Sequence, residues 1–195
     1  MMRSALPVRA LRTAAATARN PAPRTTAVRH TFATSNDDAP SPGTQVHPLP
    51  ADATGRIALS LFPKSGPAHA VVGWTRTPTS NGTDLRPADF AENPAFVAHL
   101  HKVLKDHAHE DGDLVALAKH QKIGWMHVAD QRNPPPWGRI PDPDDIIGSV
   151  QLDGEGQIRA HSYQPMPTHR IVSNHGLFQL SPFLHEKLVQ SFGSK

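Results

Sequence analysis

Three consecutive prolines at 134–136 constrain the fold more than any other feature of this sequence. They fix three successive φ angles and remove three backbone N–H donors, so neither a helix nor an inner strand can continue through them. Apolar runs flank them at 123–128 and 146–152, and the connection between these runs, 130–145, is polar. We call residues 130–145 the proline loop. The pattern predicts that this loop is stiff and extended and joins two strands.

A stiff loop loses less conformational entropy on ordering than a flexible one, so the proline loop suits a recognition surface. Tryptophan and arginine are enriched at the energetic hot spots of protein interfaces. The predicted partner-binding residues of this loop are Arg132, Asn133, Trp137 and Arg139. In the alternative interpretation, the prolines only lead the chain around a sheet edge, Trp137 fills the core, and the two arginines pair with aspartates of the same loop.

The first 36 residues have the composition of a mitochondrial transit peptide. They contain six arginines, no lysine and no acidic residue, and arginine interrupts every apolar run. Residues 29–36 are similar to the surroundings of matrix processing sites, so cleavage is predicted between Thr31 and Asn36. The alternative is a disordered basic tail that stays attached. These features predict a soluble protein of the mitochondrial matrix.

Composition excludes several classes of function. Subtracting the six arginines of the predicted transit peptide from the 20 basic residues leaves 14 against 17 acidic residues, a net charge of −3. Such a domain is a poor general binder of nucleic acid. The absence of cysteine excludes disulfides, thiolate zinc sites and iron–sulfur clusters. No apolar run approaches the roughly 20 residues of a membrane span, and no cofactor is predicted.

The remaining chain predicts a disordered, proline-rich lead-in at 37–54 and one α+β domain at 55–195. Alternating apolar residues predict a first antiparallel hairpin of 56–62 with 69–74. A second hairpin, 146–152 with 157–163, is predicted around a turn with two glycines. Further strands are predicted at 124–129, 169–173 and 176–180.

Two helix starts are marked by a capping residue followed by proline, at Asn93-Pro94 and at Ser181-Pro182. A shorter helix is predicted at 114–122. Apolar side chains recur on one face of the first helix: Phe96, Val97, Leu100, Val103 and Leu104. Together the elements predict an antiparallel sheet of about five to six short strands, with two to three helices packed on one face.

Thirteen histidines are the most unusual part of the composition. Four of them lie within eleven positions: His99, His101, His107 and His109. Imidazole is a ligand for zinc, copper and nickel, but the spacing lacks the helical pairing of ligands found in an HExxH motif. Histidines at the end of a helix also interact favourably with its dipole. No metal site is therefore predicted, and metal binding by residues 99–109 remains an open hypothesis.

Three other histidines are candidates for acid–base chemistry because they lie on predicted strands or near a sheet rim. The weak catalytic candidates are His127, His161 and His169, each in combination with Asp130. Structural histidines with satisfied hydrogen bonds explain the same pattern.

These observations lead to two alternative predictions of function. The first is a non-enzymatic binding, assembly or accessory-subunit protein that uses the proline loop to contact a protein partner in a mitochondrial complex. The alternative is a small hydrolase or isomerase with a histidine–aspartate site at the sheet rim.

Overall fold

The structure is a computed structural model that describes residues 44–64, 66–76, 85–136 and 138–193. The described residues all belong to one unit of the chain, Asp37–Lys195. The predicted transit peptide with its cleavage site, the first part of the lead-in, and Trp137 lie outside the described residues.

The described residues form three α-helices and three antiparallel sheets of four, three and two strands. The helices are α1 (Pro94–His107), α2 (Gly112–Gln121) and α3 (Pro182–Gly193). The four-stranded sheet has the order β1 (His47–Pro48), β2 (Ile57–Ser60), β3 (Val71–Thr75), β4 (Phe90–Glu92). The three-stranded sheet contains β5 (Gly124–Ala129), β6 (Ile146–Leu152) and β7 (Gln164–Pro165). The last pair is β8 (Val172–Ser173) and β9 (Gly176–Leu177). The predicted α+β class is confirmed, although the strands are divided among three sheets.

Local capping explains where the three helices begin. The Asn93 side chain accepts a hydrogen bond from the Ala95 N–H at 3.1 Å at the start of α1. Ser181 caps α3 by accepting from the Leu184 N–H at 3.2 Å, and its hydroxyl also donates to Asp111. Asp111 in turn caps α2. None of the helices in the described part of the chain has the length and apolarity that a membrane span requires.

One apolar core joins the three helices and the three sheets. Phe96 of α1 and Phe178, which follows β9, are both fully buried and pack edge to face, with 5.7 Å between their ring centroids. Each large side chain buried in this way contributes about 1.5–3 kcal/mol. The core therefore holds the segment that follows β9 against α1, the helix that also contributes to the candidate site.

The first hairpin is confirmed, since β2 and β3 pair antiparallel. The strand β1 pairs with the other edge of β2, and Val46 immediately before it is buried. Within the predicted lead-in, residues 47–48 are therefore extended and belong to the sheet. Burial of the valine and backbone pairing with β2 together order this segment.

The second predicted hairpin forms only next to its turn. The strand β6 has the expected bounds, but it pairs with β5 and β7, and the segment 157–163 contributes a single isolated bridge at Ile158. The chain turns immediately afterwards. The backbone N–H and the hydroxyl of Ser162 both donate to the Arg159 carbonyl, and His161 has a φ of +59°. These local hydrogen bonds compete with strand pairing and end it.

Candidate functional site

The side chain of Arg132 points into the protein and anchors the proline loop, with only 1% of the side chain exposed. Its Nε donates to Asp145 Oδ1 at 2.7 Å. Its two terminal nitrogens donate to four backbone carbonyl oxygens at 2.8–3.1 Å, those of Asp144, Arg170, Ile171 and Gly176. A guanidinium has five N–H donors, and all five are used here. All of the hydrogen-bond donors of Arg132 are therefore used inside the fold, and its contribution to partner binding stays a prediction.

Asp145 is the buried counter-ion of Arg132. It also accepts hydrogen bonds from Asn133 Nδ2 at 3.2 Å and Ser173 Oγ at 3.3 Å, and lies 2.9 Å from His175 Nδ1. Burial acts to raise the pKa of this carboxyl. The hydrogen bonds from Arg132 and Asn133 and the charge of Arg132 outweigh burial, so the pKa is lowered.

This lowered pKa predicts a loss of stability in acid. A carboxyl group whose folded pKa is below its unfolded value contributes stability above the unfolded pKa, about 4, and loses it as the pH falls through the folded pKa. We expect the free energy of unfolding, measured in urea, to decrease from pH 4 downwards. Asp145→Asn should flatten this dependence, whereas Asp89→Asn at an exposed site should not. Equal pH profiles for Asp145→Asn and the wild type would contradict the assignment.

Asp130 is the second fully buried carboxylate of the loop. Its Oδ1 accepts from the backbone N–H of Arg132 at 3.0 Å and of Gln179 at 2.8 Å. Its Oδ2 lies 3.2 Å from Nε2 of His169. Because a carboxylate only accepts, the network assigns the proton to Nε2 and leaves Nδ1 of His169 as the free ring nitrogen. The structure thus brings together one of the predicted histidine–aspartate pairs.

The other two catalytic candidates lie elsewhere. His127 Nδ1 lies 3.0 Å from the hydroxyl of Ser149, its partner in the β5–β6 register. His161 is exposed, with Nδ1 4.0 Å from Asp106. Neither residue contacts Asp130.

A cavity of about 220 Å³ lies beside the His169–Asp130 pair. Its wall includes His169 and, from α1, His101. Nδ1 of His101 lies 2.8 Å from the hydroxyl of Tyr163, which itself donates to the Ile147 carbonyl at 3.1 Å. Burial, and to a lesser extent the neighbouring His169, lowers the pKa of His101, so its imidazole is neutral at pH 7. The sequence gives no signal that His101 and His169 line the same cavity, since they are 68 positions apart.

The histidines of the 99–109 segment contact different partners and do not gather at one site. His99 Nε2 lies 2.7 Å from Ser191 Oγ on α3, and His107 pairs with Glu110 at 3.1 Å. Among the described residues, one group has the spacing of metal ligands: Asp142, Asp145 and His175. The adjacent Arg132 charge opposes a cation at Asp145.

The outer face of the proline loop carries an exposed pair of residues, Arg139 and Ile140. Ile140 is 74% exposed, which is unusual for a large apolar side chain. Of the four predicted partner-binding residues, Arg139 lies on this face, while Asn133 and Arg132 belong to the internal network. Sequence reasoning missed Ile140, although a large apolar residue in an otherwise polar loop was a usable signal.

Comparison of the chain with protein-family models, with curated proteins and with solved structures found no match. The functional inference therefore rests on the residues themselves.

Proposed function

We propose that the protein is a non-enzymatic binding, assembly or accessory-subunit protein of the mitochondrial matrix, and that the proline loop binds a protein partner. The observation that carries the proposal is the anchoring of this loop by all five donors of Arg132. A loop that is already ordered loses little entropy when a partner binds. The matrix location is supported by the arginine-rich, acid-free composition of the first 36 residues.

The exposed pair on the loop indicates the chemistry of the partner. Ile140 would enter an apolar pocket, and the guanidinium of Arg139 would pair with a carboxylate at the rim of that pocket. Asp142 and Asp144, which are also exposed on the loop, would select against a strongly acidic partner surface.

We expect the double variant Arg139→Glu, Ile140→Asp to abolish association with the partner. The full-length protein would be expressed in cells, and matrix extracts would be resolved on native gels. The wild type should migrate with a large complex and the variant as the free protein. The free energy of unfolding should change by less than about 0.5 kcal/mol, because both side chains are exposed.

The matched control is Arg159→Glu, Ile123→Asp, which changes the same residue types at exposed sites outside the loop; Ile123 is 71% exposed. This control should leave the complex intact. A wild-type protein that migrates only as a monomer would overturn the proposal, as would equal loss of the complex in the control. An uncleaved chain found in the cytosol would overturn the proposed location.

A second candidate function is supported by the His169–Asp130 pair at the 220 Å³ cavity. A buried carboxylate that holds one imidazole nitrogen protonated leaves the other able to accept a proton from a ligand. This is the geometry of a general base in a small hydrolase or isomerase. Exchange of a carbon-bound hydrogen of a bound ligand with D₂O, lost in His169→Gln, would support this candidate; bound ligands that never exchange would count against it.

A further inference from the structure

The 220 Å³ cavity presents two imidazole nitrogens as hydrogen-bond acceptors. His101 donates its Nδ1–H to Tyr163, and His169 donates its Nε2–H to Asp130. When both rings are neutral, the remaining nitrogens, Nε2 of His101 and Nδ1 of His169, carry lone pairs. Neither has a hydrogen-bond partner among the described residues, and both retain accessible surface. Because both residues line the cavity, these lone pairs are available to a ligand there.

Glu92 supplies a third acceptor. It lies at the end of β4 and lines both this cavity and an adjoining one of about 510 Å³. Its Oε1 accepts the Ile171 N–H at 2.8 Å, which fixes the carboxylate in place. Its Oε2 has no hydrogen-bond partner in the described part of the chain. One oriented carboxylate oxygen is therefore available beside the two imidazoles.

Arg170 supplies a cation to the wall shared by the two cavities. Its backbone is held on both sides, since its N–H donates to the Asp144 carbonyl and its own carbonyl accepts from Arg132. Its guanidinium forms no hydrogen bond or ion pair with any described residue. A guanidinium that is free in this way is suited to bidentate binding of a carboxylate.

The rest of the wall is apolar. Val97 of α1 faces the cavity together with residues of the 165–171 segment, among them Pro165, Met166 and Ile171. The cavity is smaller than the roughly 300–1,000 Å³ typical of sites for drug-sized ligands, so a compact metabolite is the appropriate size class.

We propose that this cavity binds a free α-amino acid with an apolar side chain. An ammonium group has three N–H donors, and the wall offers three acceptors on His101, His169 and Glu92. The carboxylate of the ligand pairs with Arg170, and its side chain packs on the apolar wall. A simple anion would be repelled by the Glu92 charge and would give the three acceptors no hydrogen-bond donor. A simple amine would leave Arg170 without an anionic partner. The inference goes beyond protein binding through the proline loop and does not depend on it or on proton transfer.

The test is isothermal titration calorimetry of the full-length protein with alanine, valine, leucine and methionine. For the amino acid that binds, the N-acetyl derivative lacks the ammonium and the amide derivative lacks the carboxylate. We expect each derivative to bind at least tenfold more weakly. If no amino acid binds, or if the N-acetyl derivative binds as tightly as its parent, the proposal is overturned.

Variants separate the two charged contacts. Arg170→Gln and Glu92→Gln should each weaken binding at least tenfold, and Glu92→Gln keeps an oxygen that can accept the Ile171 N–H. Arg159→Gln, an exposed arginine outside the cavity, is the matched control and should bind like the wild type. Equal affinities of all four proteins would overturn the proposal.

Catalysis is tested separately on the same complex. Incubation of the bound amino acid in D₂O, followed by mass spectrometry, reports exchange at its α-carbon. Nδ1 of His169 holds the ammonium group in the proposed complex, so an amino acid recovered without deuterium is the expected result. Deuterium at the α-carbon would show that Nδ1 acts as a base there, and it would overturn the assignment of this nitrogen to the ammonium group. Loss of partner binding in the proline-loop variant would test neither the ligand assignment nor the catalytic candidate.

Discussion

Replacing Arg132 with leucine should lower the free energy of unfolding by about 3–5 kcal/mol, the usual cost of removing one partner from a buried ion pair. The substitution leaves the Asp145 carboxylate buried without its counter-ion and removes one donor from each of four backbone carbonyls, of which those of Asp144 and Ile171 keep a backbone N–H donor. Each unsatisfied buried acceptor adds to the cost. The measurement is urea unfolding at pH 7, followed by circular dichroism.

Two comparisons make the result specific. Arg132→Lys keeps the charge, but an ammonium has three donors and cannot reach five acceptors, so we expect a smaller but substantial loss. Arg139→Leu, in the same loop but exposed, should change the free energy of unfolding by less than about 0.5 kcal/mol. If Arg132→Leu costs no more than Arg139→Leu, the anchoring role of Arg132 is refuted.

Gly148→Ala should destabilise the protein by about 1–3 kcal/mol through overpacking. A β-carbon at this position in β6 would lie 2.5 Å from Cζ of Tyr163 and 2.6 Å from the carbonyl oxygen of Gln164. The carbonyl belongs to the backbone of β7, so it cannot move without breaking the β6–β7 pairing. Displacing Tyr163 would also release His101, so binding of an amino acid in the cavity should weaken at the same time.

The control for this substitution is Gly154→Ala, in the turn after β6. A β-carbon there meets no atom within 4 Å, so its unfolding curve should match that of the wild type. The measurement is urea unfolding, which compares the free energies of unfolding of the two variants. A Gly148→Ala protein as stable as Gly154→Ala would show that Tyr163 and β7 are not packed against β6 in this way.

Local sequence signals predicted the helix starts and several strands because the interactions that determine them lie within a few residues. Asn93 caps the helix whose first residue follows it, and Ser181 does the same for α3. The strand β5 has the predicted bounds, 124–129, because its apolar residues alternate, so that Met126 and Val128 are buried while the strand lies at the edge of its sheet. The turn at His161 escaped prediction because a serine side chain competed with strand pairing.

The candidate site was only partly predictable. Asp130 and His169 were named as a pair in advance, but the choice between His127, His161 and His169 depended on contacts between residues far apart in the chain. His101 was assigned to a histidine cluster, and the packing of α1 against the 163–171 segment instead turns it towards Tyr163 and the cavity. Arginine is a residue type that is enriched at interface hot spots. The side chain of Arg132 nevertheless points into the protein, because four backbone carbonyls from other parts of the chain accept its hydrogen bonds.

By itself the sequence determined the α+β class, the capping of α1 and α3, the bounds of β5 and β6, and the stiffness of the chain at 134–136. Each of these follows from backbone geometry and nearest neighbours. The tertiary structure alone decided which side chains face inward and which ring nitrogens stay free. Those outcomes depend on where carbonyls and carboxylates from other parts of the chain come to lie, and a buried donor must find an acceptor wherever the fold places one.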